Sequence, residues 1–258
     1  ECFGISWPEA LKQDLVCNAS EAEERLGWTS QQLGTHWDTL EMGIGKVKFG
    51  GGFYCGQLHG LFVINGFYMA MRQQYVVPGS SVFWFNVKWP TNGENGGKLS
   101  WKRFREEVVG NTDPGTAKPV SLRGYFYKHW DALGLPGQPH VGENAVHGSA
   151  SPFEALVEKM NWLDADYGSD PFGSLLSSQG VSEATVNRWR LNPVVKVDGR
   201  NTSLFDLVEN LDTIACLKKA KCVFKEQQQQ QQQQQQKKSQ NHLPVNEIRY
   251  LLSTATKP

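Results

Sequence analysis

Asn144-Ala-Val-His147-Gly-Ser149-Ala-Ser151-Pro-Phe-Glu154-Ala-Leu-Val-Glu158 sets one histidine in a turn of small residues directly before a helix with a well-formed start. Ser151 is an N-cap and Pro152 suits the first helical position; Glu154 stands three residues past the cap, the spacing of a capping box. His147 therefore falls just outside a helix N-terminus, where backbone N–H groups and the helix dipole favour phosphate or another anion. Glu158 lies about two turns into that helix, within reach of a side chain folded back over its first turns. A histidine so placed, with a carboxylate to orient it, can carry a phosphoryl group; the plainer alternative is an ordinary loop histidine.

The surrounding pattern alternates between helix, strand and polar loop. Residues 7–42 read as helical, with Pro8 opening a segment to Leu15 and a capping-box spacing at Ser20–Glu23. The glycine cluster within Lys46–Gly56 lacks the GKS/T of a phosphate-binding loop and reads as a tight turn. Gly60–Gly66 reads as a strand, and Phe67–Tyr75 as a helix. Ser81–Trp89, β-branched and aromatic, gives the strongest strand expectation. A loop is expected at Asn92–Gly97, then a helix from Trp101 to Val109 that stops at Gly110. This alternation up to Leu163 argues an α+β or α/β domain. Beyond it come helical segments at Phe172–Leu176, Ser182–Trp189 and Ser203–Leu211, and ten glutamines at 227–236 that should be disordered or a fraying helix.

A length of 258 residues with nine Trp and thirteen Phe supports a sizeable core. Lys plus Arg equals Asp plus Glu at 26 each, so nothing global points to nucleic acid or a membrane surface. No apolar run approaches the ~20 residues that span a bilayer. Five cysteines, odd in number and scattered without a CxxC pair, suggest a reducing compartment and a cytoplasmic location, and they offer no zinc motif. His140 and His147 lack a recurring metal-ligand spacing, and no Gly-x-Ser-x-Gly elbow occurs. No resident metal site is expected.

A second polar element, Gly110-Asn-Thr112-Asp-Pro114 running to Arg123-Gly124, offers a hydroxyl and a guanidinium, the donors a phosphoryl-transfer site needs on nonbridging oxygens. Taken together, the two elements resemble nucleoside diphosphate kinases. The family's Asn-x-x-His-Gly-Ser-Asp-Ser with a glutamate on the next helix corresponds to 144–151 and Glu158. Its Gly-x-Thr-Asn-Pro…Arg-Gly element corresponds to Gly110–Gly124. The resemblance covers residues 99–163 and extends back to about residue 60. It implies a ferredoxin-like antiparallel sheet with helices, an α/β sandwich of the α+β class. The chain would then divide into a helical and Gly-rich segment 1–59, the kinase-like domain 60–163, a helical extension 164–224 and a poly-Gln tail 225–258.

By the same resemblance His147 is the nucleophile, forming a phosphohistidine, and Glu158 with Ser149 orients its imidazole. Thr112, Arg123 and Arg105 would contact phosphates and Asn144 the sugar, while Phe67 and Met71 would clamp the base. ATP and other nucleoside tri- and diphosphates are the implied substrates, with Mg²⁺ carried on the nucleotide. An assembly of several copies is expected, with neither nucleic acid nor membrane as partner. Ala150 stands where the family has Asp, and an insertion containing Trp130 and Pro136–Pro139 separates Arg123 from Asn144. The family's first strand, with its Lys-Pro-Asp-Gly lysine, is not found and is expected upstream of Glu1. These departures motivate the alternative of a non-catalytic kinase-like scaffold or nucleotide-binding module in a larger assembly, with a cilium or flagellum as its location.

Overall fold

The computed structural model describes residues 3–50, 52–89 and 99–240. The class is mixed α+β. The chain divides into two compact units, one of Glu1–Pro90 with Val109–Val146 and another of Thr91–Val108 with His147–Pro258.

In the first unit, α1 (Trp7–Lys12) leads into β1 (Val16–Asn18), then α2 (Ala19–Leu26) and α3 (Ser30–Asp38). Asn18 ends the strand and caps α2 in one residue: its side chain accepts from Glu21 N–H while the Glu21 carboxylate accepts from Asn18 N–H, both at 3.0 Å. The capping box expected at Ser20–Glu23 is therefore formed two residues earlier. The all-helical expectation for 7–42 is corrected by β1, which lies parallel to β4 (Leu61–Ile64) with Cys17 opposite Val63.

Gly52 of the glycine cluster, at φ of 65°, lies in a turn between β2 (Lys46–Gly50) and β3 (Phe53–Leu58), which pair antiparallel, as do β3 and β4. The resulting sheet, in the order β1-β4-β3-β2, is mixed rather than antiparallel throughout. Leu33 and Trp37 of α3 pack on it against Cys17, Leu58 and Val63. Gly66 makes this possible, because a Cβ there would collide with the Trp37 ring. α4 (Tyr68–Val76) follows β4 as expected.

Ser81–Trp89 does not form the expected strand. It is irregular, and Phe83 and Phe85 are 87% and 85% exposed. Strand propensity measures packing on a sheet, and among the described residues no strand pairs with this segment. The expected loop at Asn92–Gly97 lies outside the described residues, as does 241–258 of the tail.

The second unit begins its described part with α5 (Trp101–Arg103), which runs into a π-helical turn at Phe104–Val109. Within the first unit, a 3₁₀ turn at Pro114–Thr116 and α6 (Leu122–His129) then frame the Thr112–Arg123 element. α7 (Pro152–Trp162), α8 (Pro171–Ser178), α9 (Glu183–Trp189) and α10 (Leu204–Val208) belong to the second unit. A hairpin of β5 (Val194–Val197) and β6 (Arg200–Ser203) lies among them. Its two-residue turn, Asp198-Gly199, has φ of 52° and 77°, the positive pair of a type I′ turn.

One core joins Phe153, Leu156 and Val157 of α7 to Leu176, Val186, Trp189, Leu204 and Cys216. The expected segment border at 163 falls inside this shared core. α11 (Thr213–Gln240) contributes Cys216, Ala220 and Val223 at helical spacing. The glutamine tract, 227–236, lies within that helix, which ends at Gln240. Gln227 accepts from the Trp189 indole N–H at 3.0 Å, whereas 228–236 are exposed.

Candidate functional site

The start of α7 forms from local chemistry. Ser151 Oγ accepts from the Glu154 N–H at 3.1 Å, and Pro152 needs no partner for a missing N–H. The reciprocal bond of the capping box is displaced by one residue: Glu154 Oε2 accepts from Ala150 N–H at 3.1 Å. That shift ties the glutamate to the histidine loop instead of to the cap.

His147, Ser149 and Glu158 come together as the sequence suggests. His147 Nε2 bonds Glu158 Oε1, and the Ser149 hydroxyl donates to Glu158 Oε2 at 2.5 Å. A carboxylate facing Nε2 assigns a proton to that nitrogen, and in the neutral ring the lone pair then lies on Nδ1. Burial would raise the Glu158 carboxyl, but the bonds from His147 and Ser149 outweigh it and hold the group below the ordinary carboxylate range. An anion therefore sits behind the imidazole at neutral pH, where it stabilises positive charge developing on the ring when Nδ1 is substituted.

Glu154 reads from sequence as a cap, yet its Oε1 lies 4.0 Å from His147 Nε2. Burial, and then the negative charge of Glu158, push its carboxyl up. The sequence signal for this role is the i,i+4 spacing of Glu154 and Glu158, which puts both on one helix face.

The loop is held by residues that carry no local motif. The Trp101 indole N–H donates to Ser149 O at 2.7 Å, and its backbone N–H donates to Asp212 Oδ1 at 2.7 Å. Asn210 N–H, on a residue with φ of 60°, donates to Ala150 O at 2.8 Å. Arg105 also lies in this unit; its guanidinium donates to Glu209 Oε1 and Asn210 Oδ1, both at 2.7 Å, and its charge acts on Glu154.

The remaining expected residues belong to the first unit. Arg123 donates from Nε and Nη2 to Val146 O at 3.0 and 2.7 Å and from Nη1 to Gly110 O at 2.9 Å. Asn144 Nδ2 donates to Thr112 O at 3.2 Å, and Thr112 itself is exposed. Gly110, at φ of 104°, lets this loop approach α6: a Cβ there would meet Ser121 Oγ at 2.5 Å. Phe67 stands at the N-terminus of α4, half-buried, its ring 5.9 Å from Trp37 and 6.0 Å from Tyr54. Met71, one turn on, is exposed.

Free thiols occur at Cys17, Cys55, Cys216 and Cys222; burial pushes Cys55 up to about 11 and Cys216 up to about 12, so these two are unreactive at neutral pH. Among the described residues no helix is long and apolar enough to cross a membrane. Comparison of the chain with family models, with curated proteins and with solved structures gives no match in any of the three.

Proposed function

We propose that the chain is a phosphotransferase of the nucleoside diphosphate kinase type, with His147 as the phosphate carrier. The observation that carries this reading is the His147–Glu158–Ser149 constellation. It couples an exposed imidazole, with its lone pair on Nδ1, to a carboxylate held as the anion. In the first half-reaction the Nδ1 lone pair attacks the γ-phosphorus of a nucleoside triphosphate. The bond to the β–γ bridging oxygen breaks and the diphosphate leaves with that electron pair. The second half-reaction runs in reverse onto a different diphosphate. Splitting the transfer leaves the protein mainly the work of positioning and charge stabilisation.

Mg²⁺ enters as part of the nucleotide and neutralises phosphate charge. Thr112, Arg123, Arg105 and Asn144 are the proposed phosphate and sugar contacts, and Phe67 with Met71 the base contacts. The family's ferredoxin-like sandwich over 60–163 belongs to the same proposal; among the described residues that range holds one strand, β4, with α4, α5, α6 and the capped α7.

Incubation of the whole chain with γ-labelled ATP tests the reading. Acid-labile, alkali-stable label on His147, absent from His147→Ala, is the expected result. A folded chain that takes up no label refutes it.

A second reading, a nucleotide-binding module without turnover, is favoured by Arg123, whose guanidinium already serves two backbone carbonyls. It requires nucleotide binding that survives His147→Ala together with no phosphohistidine in the parent chain.

A further inference from the structure

We propose that His147, Glu154 and Glu158 form a binding site for one divalent cation of the zinc class, loaded without nucleotide. One donor atom from each residue lies within 4.8 Å of the others. The two carboxylates are four residues apart on α7 and share the face that looks toward the histidine loop.

The outer contacts divide each carboxylate into a held oxygen and a turned one. Glu158 Oε2 accepts the Ser149 hydroxyl, and Glu154 Oε2 accepts the Ala150 N–H. In both residues Oε1 is the atom presented to Nε2. Hydrogen bonds of this kind, from groups behind the ligands, orient metal-binding carboxylates. The loop carbonyls of Ser149 and Ala150 are fixed in turn by Trp101 and Asn210.

The donor chemistry selects the cation. One imidazole nitrogen and two carboxylate oxygens suit zinc, with the solvent side of the exposed His147 ring open for a water in the fourth position. Calcium and magnesium prefer sets made of oxygen alone. Zinc holds such donors at about 2.0–2.2 Å, so its ligand atoms stand about 3–3.5 Å apart. Loading requires Nε2 and Glu154 Oε1, now 4.0 Å apart, to close toward that separation, and Nε2 and Glu158 Oε1, now in direct hydrogen-bond contact, to open to it. On loading, the neutral imidazole changes tautomer: the Nε2 proton passes to solvent, Nδ1 takes one up from solvent, and the Nε2 lone pair becomes the metal bond, so Nδ1 no longer holds a lone pair. The imidazole then loses its bond to Glu158 and cedes electron density to the metal. That it thereby stops carrying phosphate rests on the function proposed above; the binding itself does not.

Titration calorimetry of Zn²⁺ into the nucleotide-free chain tests the site. A Cys2→Ser, Cys222→Ser background keeps thiolates from competing. The expected result is one saturable Zn²⁺ per chain, weakened at least about tenfold by Glu154→Gln and further by His147→Gln. Co²⁺ in the same site should show the intense visible absorption of a tetrahedral ion. Glutamine at 154 still accepts from the Ala150 N–H, and circular dichroism verifies that both variants fold. Absence of saturable binding, or affinity unchanged in both variants, overturns the proposal. A chain that binds Zn²⁺ but never becomes phosphorylated leaves this site standing and removes the kinase reading; one that is phosphorylated but binds no Zn²⁺ does the opposite.

Discussion

Replacing Glu158 by Gln probes the proposed carrier constellation with almost no change of shape. The carboxylate accepts two hydrogen bonds, from His147 Nε2 and from Ser149 Oγ at 2.5 Å. A glutamine offers one neutral oxygen and an NH₂ donor. One of the two bonds therefore loses its acceptor and the other loses its charge. A hydrogen bond to a charged group contributes about 1.5–3 kcal/mol. Water at the His147 ring, whose side chain is 64% exposed, replaces part of what is lost. A rise of about 1.4–2.8 kcal/mol in the phosphorylation barrier follows, about ten- to a hundredfold in rate. The KM for ATP should stay unchanged, because Glu158 touches the imidazole and not the nucleotide. Rapid-quench measurement of phosphohistidine at saturating ATP reads the rate. Phosphorylation within about twofold of the parent would refute the orienting role, provided the variant keeps its circular dichroism.

Two further expectations concern stability. In Gly124→Ala the new Cβ would collide with the Lys118 carbonyl oxygen and lie 3.1 Å from Pro119 Cα, both backbone, so α6 must shift. Urea denaturation should show a loss of about 3 kcal/mol, and a change under about 1 kcal/mol would mean the turn yields freely. Glu154→Gln tests the raised carboxyl. Its folded pKa lies above the unfolded value near 4.5, so the cost of its ionised form is in force at neutral pH and disappears as pH falls through the folded value toward the unfolded one. The variant should melt no lower than the parent at neutral pH and lose any advantage near pH 4.5, whereas a lower neutral melting temperature would show that attraction to His147 dominates.

The start of α7 is legible in the sequence because its causes are local. Ser151, Pro152 and Glu154 act within one turn of each other; at α2 the cue is equally local but lies at Asn18 and Glu21, two residues before the expected Ser20–Glu23. The β5–β6 hairpin carries an equally local cue, Asp198-Gly199 after Val-Val-Lys-Val, which the helical pattern on either side of it obscures. β1 gives little cue: three residues between two helices become a strand only because Leu61–Ile64, far along the chain, supplies the partner. The converse holds at Ser81–Trp89, where residues suited to a strand are paired with no strand among the described residues. At the site, His147, Ser149 and Glu158 are readable as a spaced motif. Trp101, Asn210 and Asp212 are not, since they reach the loop from positions 48 or more residues away or through a backbone N–H that has no residue type.

The packing of α7 bears on how such a chain can change by recombination. Its buried face, Phe153, Leu156 and Val157, rests on helices that come after it, and Asn210 holds the Ala150 carbonyl. The stretch after Leu163 is therefore not a detachable appendage that a gene fusion could exchange for another. A crossover at that point would separate the helix bearing Glu158 from the residues that exclude water from its inner side. The lineage must inherit the motif and its later supports as one block.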